Sequence, residues 1–140
     1  MLALSLGIPR VQADTAKLTL SNTTAGKFIN TNPIKQNNVT WTATTTKGSI
    51  NGSWQSTYGG EQYGTGNSPC AIEFSTSDIS GTITKVAVQC NTGGSATVGV
   101  TVGGNQFGSA AKNVTKTTGI NASKPVPTYT FEGTASGKII

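Results

Sequence analysis

The sequence predicts an all-β fold, an antiparallel β-sandwich of jelly-roll type, and three observations point there. The first is composition. Charged residues make up 11% of the 140 residues and hydrophobic residues 34%, and Thr, Ser, Asn and Gly fill the difference. Gly and β-branched residues are poor helix formers, whereas short strands and tight turns use them freely. The second is period-two alternation, the mark of strands with one buried face. Val98, Val100 and Val102 alternate with Gly99 and Thr101, Val86 and Val88 with Lys85, Ala87 and Gln89, and Tyr129 and Phe131 with Thr128, Thr130 and Glu132. The third is turn chemistry. Asn91-Thr92-Gly93-Gly94 and Gly103-Gly104-Asn105 read as hairpin turns, and no window sustains a helical period.

The elements follow in chain order. Strands are predicted over Lys17–Leu20, Val39–Thr45, Ser49–Trp54, Ala71–Ser75, Gly81–Cys90, Thr97–Val102 and Thr128–Gly133. Two long connections separate them. Gln55–Pro69 is rich in glycine and carries Tyr58 and Tyr63. Asn113–Pro127 is polar and closed by Pro125 and Pro127. Loops of this length in compact domains are usually functional or mobile. The last residues, Lys138-Ile139-Ile140, read as the start of a strand, so residues 14–140 are expected to form one sandwich domain that lacks its final strand or strands.

The N-terminus reads as the end of a signal peptide over residues 1–13. Leu2–Ile8 is a short apolar run, and Val11-Gln12-Ala13 before Asp14 fits the small-x-small pattern of a cleavage site. The run is too short to span a bilayer. The expected location is therefore secreted or at the cell surface. The mature chain would start at Asp14 with a formal charge of +4, because losing Arg10 leaves nine basic residues against five acidic ones. An exported chain with two cysteines suggests a disulfide. Cys70 shares a strand face with Ile72 and Phe74, and Cys90 shares one with Val86 and Val88, so Cys70–Cys90 is the expected bridge.

The full chain carries a formal charge of +5. Its lysines are spread nearly evenly, with no cluster except the pair Lys112 and Lys116, and its one arginine is Arg10. A nucleic-acid binder concentrates Lys and Arg on one face, so no specific nucleic-acid partner is expected. The absence of histidine removes the commonest general base and metal ligand and excludes Ser-His-Asp and Cys-His machinery. Glu61 and Glu73 are the tempting carboxylate pair for glycoside hydrolysis, but Glu73 alternates with Ile72 and Phe74 and is expected to face solvent. Asp78, between Ser77 and Ser80, reads as a turn residue rather than a calcium ligand. No catalytic residue, metal or cofactor is expected.

Aromatic and amide side chains remain. Trp54, Tyr58 and Tyr63 offer flat rings for sugar faces, and Gln55, Gln62 and Asn67 offer amides for hydroxyls. Trp41, within a strand, is expected in the core. The runs Gly60–Pro69, Ala71–Ser77, Ile79–Val88 and Val98–Gly108 together resemble a β-sandwich accessory module repeated in large secreted and surface proteins of gut bacteria. That resemblance covers about half the chain and is carried by structural motifs. It implies a shape similar to carbohydrate-binding modules and a place within a longer multidomain chain. It carries over no binding residues, and the paired cysteines are not part of its pattern. The functional expectation is a non-catalytic extracellular binding or adhesion module whose partner is a glycan or cell-surface polymer. A structural spacer or assembly subunit of a surface protein, and an accessory fragment of a larger secreted enzyme, are the other readings.

Overall fold

A computed structural model describes residues 15–23, 27–28, 32–48, 53–57, 59–64, 70–121 and 123–140. The predicted export segment, residues 1–13, lies outside them. Among the described residues every element is a β-strand: β1 Ile34–Gln36, β2 Val39–Lys47, β3 Trp54–Gln55, β4 Gly60–Glu61, β5 Ala71–Ser75, β6 Ile83–Gln89, β7 Thr97–Val98, β8 Thr101–Val102, β9 Asn105–Gln106, β10 Lys112–Asn113 and β11 Thr128–Ala135. All ladders are antiparallel: β1-β2-β5, β6 with β11, β7 with β10, β8 with β9, and β3 with β4. No helix is long and apolar enough to cross a membrane among these residues.

Alternation governs the long strands as expected. Along β6, Val86 and Val88 are half-buried while Lys85, Ala87 and Gln89 are exposed, and Phe131 of β11, opposite Val86, is 1% exposed. Along β5, Ile72 and Phe74 turn inward while Ala71 and Glu73 face solvent. The apolar side chains gather in two clusters. One holds Ile83, Val100, Val102, Phe107, Phe131 and Ile139. The other holds Phe28, Ile34 and Ala43, flanked by Leu18, Leu20, Trp41, Tyr63, Ile72 and Phe74.

Two predicted turns had different outcomes. Gly103-Gly104 forms a two-residue hairpin between β8 and β9, with φ of 61° and 83°, the doubly positive backbone that a type I′ turn requires. Asn91–Gly94 does not close a hairpin, because β6 pairs with β11 and β7 with β10. The Asn91 side chain bonds both backbone groups of Thr117, Nδ2 to O and N to Oδ1, each at 2.9 Å, and this commits the chain leaving β6 to the 117 segment. The predicted Thr97–Val102 strand is one extended run whose partner changes. It pairs with β10 at one end and β9 at the other, and Phe107 N–H donates to Val100 O at 2.9 Å between them. Lys17–Leu20 forms no ladder, yet Leu18 and Leu20 face the second cluster. The side chain of Gln36 holds this segment in place, accepting from Thr19 N–H and donating to Thr19 O. Strand β1 was not expected. Its turn to β2 is Asn37-Asn38, with φ of 49° and 63°.

Lys138–Ile140 ties the ladders together. Ile139 exchanges two backbone bonds with Thr76, Ile140 exchanges two with Thr101, and Gly103 N–H donates to Lys138 O. Gly103 must be glycine for a second reason: a Cβ there would lie 2.7 Å from the Ser136 carbonyl oxygen, whereas one at Gly104 would meet nothing within 4 Å. Both positions strain an L-residue through φ, but only Gly103 adds a backbone collision. Gly103→Ala should therefore cost about 2–3 kcal/mol and Gly104→Ala about 1 kcal/mol, read as shifts in urea unfolding midpoint at constant m-value.

Candidate ligand-binding surface

The glycine-rich connection begins with a small hairpin. Trp54 stands opposite Glu61, and Gln55 opposite Gly60. Directly opposed residues share a face, and neighbours along a strand take opposite faces. Trp54 and Glu61 therefore lie on one side of the hairpin, and Gln55 on the other. Gln62 N–H donates to Ser53 O at 3.1 Å, which sets Gln62 with Ser53 and Gln55. The Gln55 amide donates to Gln62 Oε1 at 3.0 Å and to Ser53 Oγ at 2.7 Å. The expected platform of Trp54 with Gln55 and Gln62 is thus divided by the pleat, with ring and amides on opposite faces. Tyr58 and Asn67 lie outside the described residues.

Tyr63 belongs to the core side. Its ring meets Phe74 edge-on at 5.6 Å, beside the edge-on pair Phe28–Phe74 at 5.1 Å. Its hydroxyl donates to Glu61 Oε2, which also accepts from Phe28 N–H at 3.1 Å. Burial, then the hydrogen bond and charge of Glu61, push the Tyr63 hydroxyl far above its ordinary pKa, so it stays a donor at any physiological pH. A ring packed and anchored in this way serves the cluster rather than a surface. Trp41 also packs against this cluster, half-buried. Among the described residues the indole Nε1 of Trp41 and Glu61 Oε1 are buried with no hydrogen-bond partner. Trp54 is half-buried and keeps an accessible part.

Glu61 and Glu73 do not face one cleft. Glu61 bonds within the second cluster's flank, while Glu73 is exposed on the face of β5 opposite Phe74. Among the described residues no three His, Cys, Asp or Glu side chains are grouped to hold a metal. Asp78 acts as a tether. Its Oδ2 accepts from the backbone N–H of Thr40 at 2.7 Å, and its own N–H donates to Thr76 Oγ1 at 3.2 Å. The Thr40 bonds hold its carboxyl below the usual aspartate range.

Cys70 and Cys90 are free thiols, so the expected disulfide is not formed. Both are half-buried, Cys70 one residue before β5 and Cys90 one residue after β6. The expectation also needed neighbouring strands, and β5 pairs with β2 while β6 pairs with β11. Cys90 lies at the end of β6, where its N–H donates to Pro127 O at 3.1 Å, and burial pushes its thiol upward in pKa.

Two open concavities mark the surface. The first, about 390 Å³, is a hydroxyl-lined cleft of Thr40, Thr42, Thr44, Ser75 and Ser77 with Asp78 and Lys138 at its margin. The second, about 350 Å³, lies beside the tip of the glycine-rich connection. Ile120, Pro125 and Val126 give it an apolar floor, and Thr57, Gln89 and Asn121 give it a polar rim. Among the described residues no ionisable side chain lines it. Sequence reasoning missed Gln89 and Asn121 because they come from distant segments. Gln89 Nε2 donates to Val126 O at 3.2 Å, and Asn121 Oδ1 accepts from Ser123 and Lys124 N–H, so the rim amides are held by their own surroundings.

Two outcomes follow from this geometry. Tyr63→Phe should cost about 1–3 kcal/mol, because it deprives a partly buried carboxylate of a donor, while the ring packing on Phe74 persists; denaturant unfolding measures it. Asp78 contributes stability that is present above its unfolded pKa of about 3.9 and lost as pH falls through its lower folded value. Thermal melts below pH 4 should fall more steeply for the wild type than for Asp78→Asn, which has no carboxylate to titrate. No family model, curated protein or solved structure matches this chain.

Proposed function

We propose that the chain is a non-catalytic extracellular binding module whose ligand is a neutral polysaccharide, held in the shallow groove beside the glycine-rich connection. The observation that carries this reading is the groove's chemistry. Among the described residues its lining combines an apolar floor with amide and hydroxyl groups and holds no charge. A pyranose presents the complementary surface: C–H faces that cover apolar side chains, and hydroxyls that exchange water for amides. Trp54 stands three residues before Thr57 on the same hairpin and is only half-buried. The absence of histidine and the separation of Glu61 from Glu73 support binding over hydrolysis. The ladders are read as parts of a jelly-roll-like sandwich, the architecture in which such grooves commonly sit.

An open groove buries little ligand area, and ordering opposes association, so affinity is expected to be weak. A glycan array and polysaccharide pull-down test the reading with Gln89→Ala, Trp54→Ala and Tyr63→Phe beside the wild type. Gln89→Ala and Trp54→Ala should each weaken binding about fivefold, the loss of roughly one hydrogen bond or contact, and Tyr63→Phe should leave it unchanged. Binding should hold constant as salt rises about tenfold, unlike a phosphate-backbone partner. Equal binding by wild type, Gln89→Ala and Trp54→Ala would remove the groove from consideration.

A further inference from the structure

Lys138–Ile140 behaves as the first part of a central strand. In an antiparallel sheet successive residues direct their N–H and C=O to alternate sides. Ile139 gives both groups to Thr76, and Ile140 gives both to Thr101. This segment therefore has one neighbour at the end of β5 and another at β8, with Ile139 bridged to Thr76 and Val102. The two flanks stand two strand spacings apart here, about 10 Å.

Among the described residues both flanks continue past the level of Ile140 with their facing edges unpaired. On the β5 side, β2 takes the opposite edge, and alternation from Thr76 points the backbone groups of Phe74 and Ile72 toward the gap. On the other side, β10, Phe107 and β9 all take one edge of the Thr97–Val102 run. Thr101 and Gly103 bond Ile140 and Lys138 across the other edge, so alternation points Gly99 and Thr97 into the same gap. Among the described residues no strand pairs along either edge. The core divides at this place: Ile72 and Phe74 flank one apolar cluster, Val98 and Val100 belong to the other, and Ile72, Phe74 and Val98 are only half-buried.

We infer that the gap between Ile72–Phe74 and Thr97–Val100 is a strand-accepting slot, filled by an extended polypeptide segment that continues in register from Ile140. The register specifies its chemistry. Thr76, Ile139 and Val102 form one inward row, all buried. The first residue beyond Ile140 enters the next row, between Phe74 and Val100, and the third enters the row between Ile72 and Val98. Both positions take large apolar side chains, and they join the two clusters into one core. The second and fourth face outward and direct their backbone to Gly99 and Thr97. Continuation from Ile140 is favoured over a separate strand because direction, register and the first three residues are already set by the chain itself.

The test compares the chain ending at Ile140 with three eight-residue extensions. The first repeats Val-Thr, which places Val inward. The second repeats Thr-Val, with the same composition shifted by one residue. The third is the first with Pro at its second and fourth positions, which removes the N–H groups owed to Gly99 and Thr97. Amide exchange at Ile72, Phe74, Thr97 and Gly99 and the thermal midpoint are read for each. The Val-Thr extension should slow exchange at all four amides at least roughly tenfold and raise the midpoint, and the other two should do neither. Equal behaviour of all three extensions, or full protection of the four amides already in the chain ending at Ile140, overturns the slot. Protection that appears only as protein concentration rises, or only on adding the Val-Thr peptide as a separate molecule, overturns continuation and assigns the slot to a second copy or to another polypeptide.

Discussion

The architecture depends on the pairing of Lys138–Ile140 with two flanks. Ile139 is 8% exposed and its backbone is shared with Thr76, while Ile140 is bonded to Thr101. Four backbone bonds and one buried side chain thus join the β1-β2-β5 ladder to the β8-β9 hairpin. Each net bond contributes modestly, on the order of 1 kcal/mol, but together they fix two otherwise separate ladders in one register. The glycines around this junction are explained by it. Gly103 donates to Lys138, and an added Cβ at Gly137 would lie 3.1 Å from the Gly103 Cα. Two chain segments approach there more closely than side chains permit.

The amide-rich composition has a structural use that recurs. Asn32 bonds both backbone groups of Ala43, Asn91 both of Thr117 and Gln36 both of Thr19. A side-chain amide offers one donor and one acceptor in nearly the geometry of a peptide group. It can therefore occupy the place of a strand neighbour where no strand is present. In a chain with 11% charged residues, these amides and the abundant hydroxyls maintain polarity and satisfy exposed edges. The same habit removes many Asn and Gln residues from candidacy as ligand contacts. At the groove beside the glycine-rich connection it holds Gln89 and Asn121 too, and Thr57 stands beside them over an apolar floor.

The aromatic residues of the hairpin differ in depth rather than in face, since Trp54 stands opposite Glu61. Tyr63 and Glu61 face inward, and the part-buried Tyr63 hydroxyl and Phe28 N–H both donate to one oxygen of the Glu61 carboxylate. A free carboxylate in that position would be costly, and the Tyr63 hydroxyl reduces that cost. Trp54 stays on the margin. Lys112 likewise bonds the Thr130 carbonyl and lies 4.9 Å from the Phe131 ring centroid, so one of the two closely spaced lysines is fixed in a packing role. The positive charge of the chain is dispersed and partly committed.

The sequence by itself determined which face of each long strand turns inward, because alternation of side-chain size and polarity is a local property with period two. Ile72 and Phe74, Val86 and Val88, and Tyr129 and Phe131 all turn inward as their spacing requires. It also determined the Gly103-Gly104 hairpin, since few residues tolerate two successive positive φ values, and the Asn37-Asn38 turn carried the same signal unread. Which strands meet was decided only by the tertiary structure. Neighbour choice depends on contacts between residues far apart in the chain, and no local pattern encodes them. Hence Asn91–Gly94 is a turn without a hairpin, and Cys70 and Cys90 flank strands that do not pair. The groove is the clearest case: Thr57, Gln89 and Asn121 come from three distant segments, and the Asn91 side chain that holds the chain leaving β6 to Thr117 is one of the contacts that set the course of the chain between them.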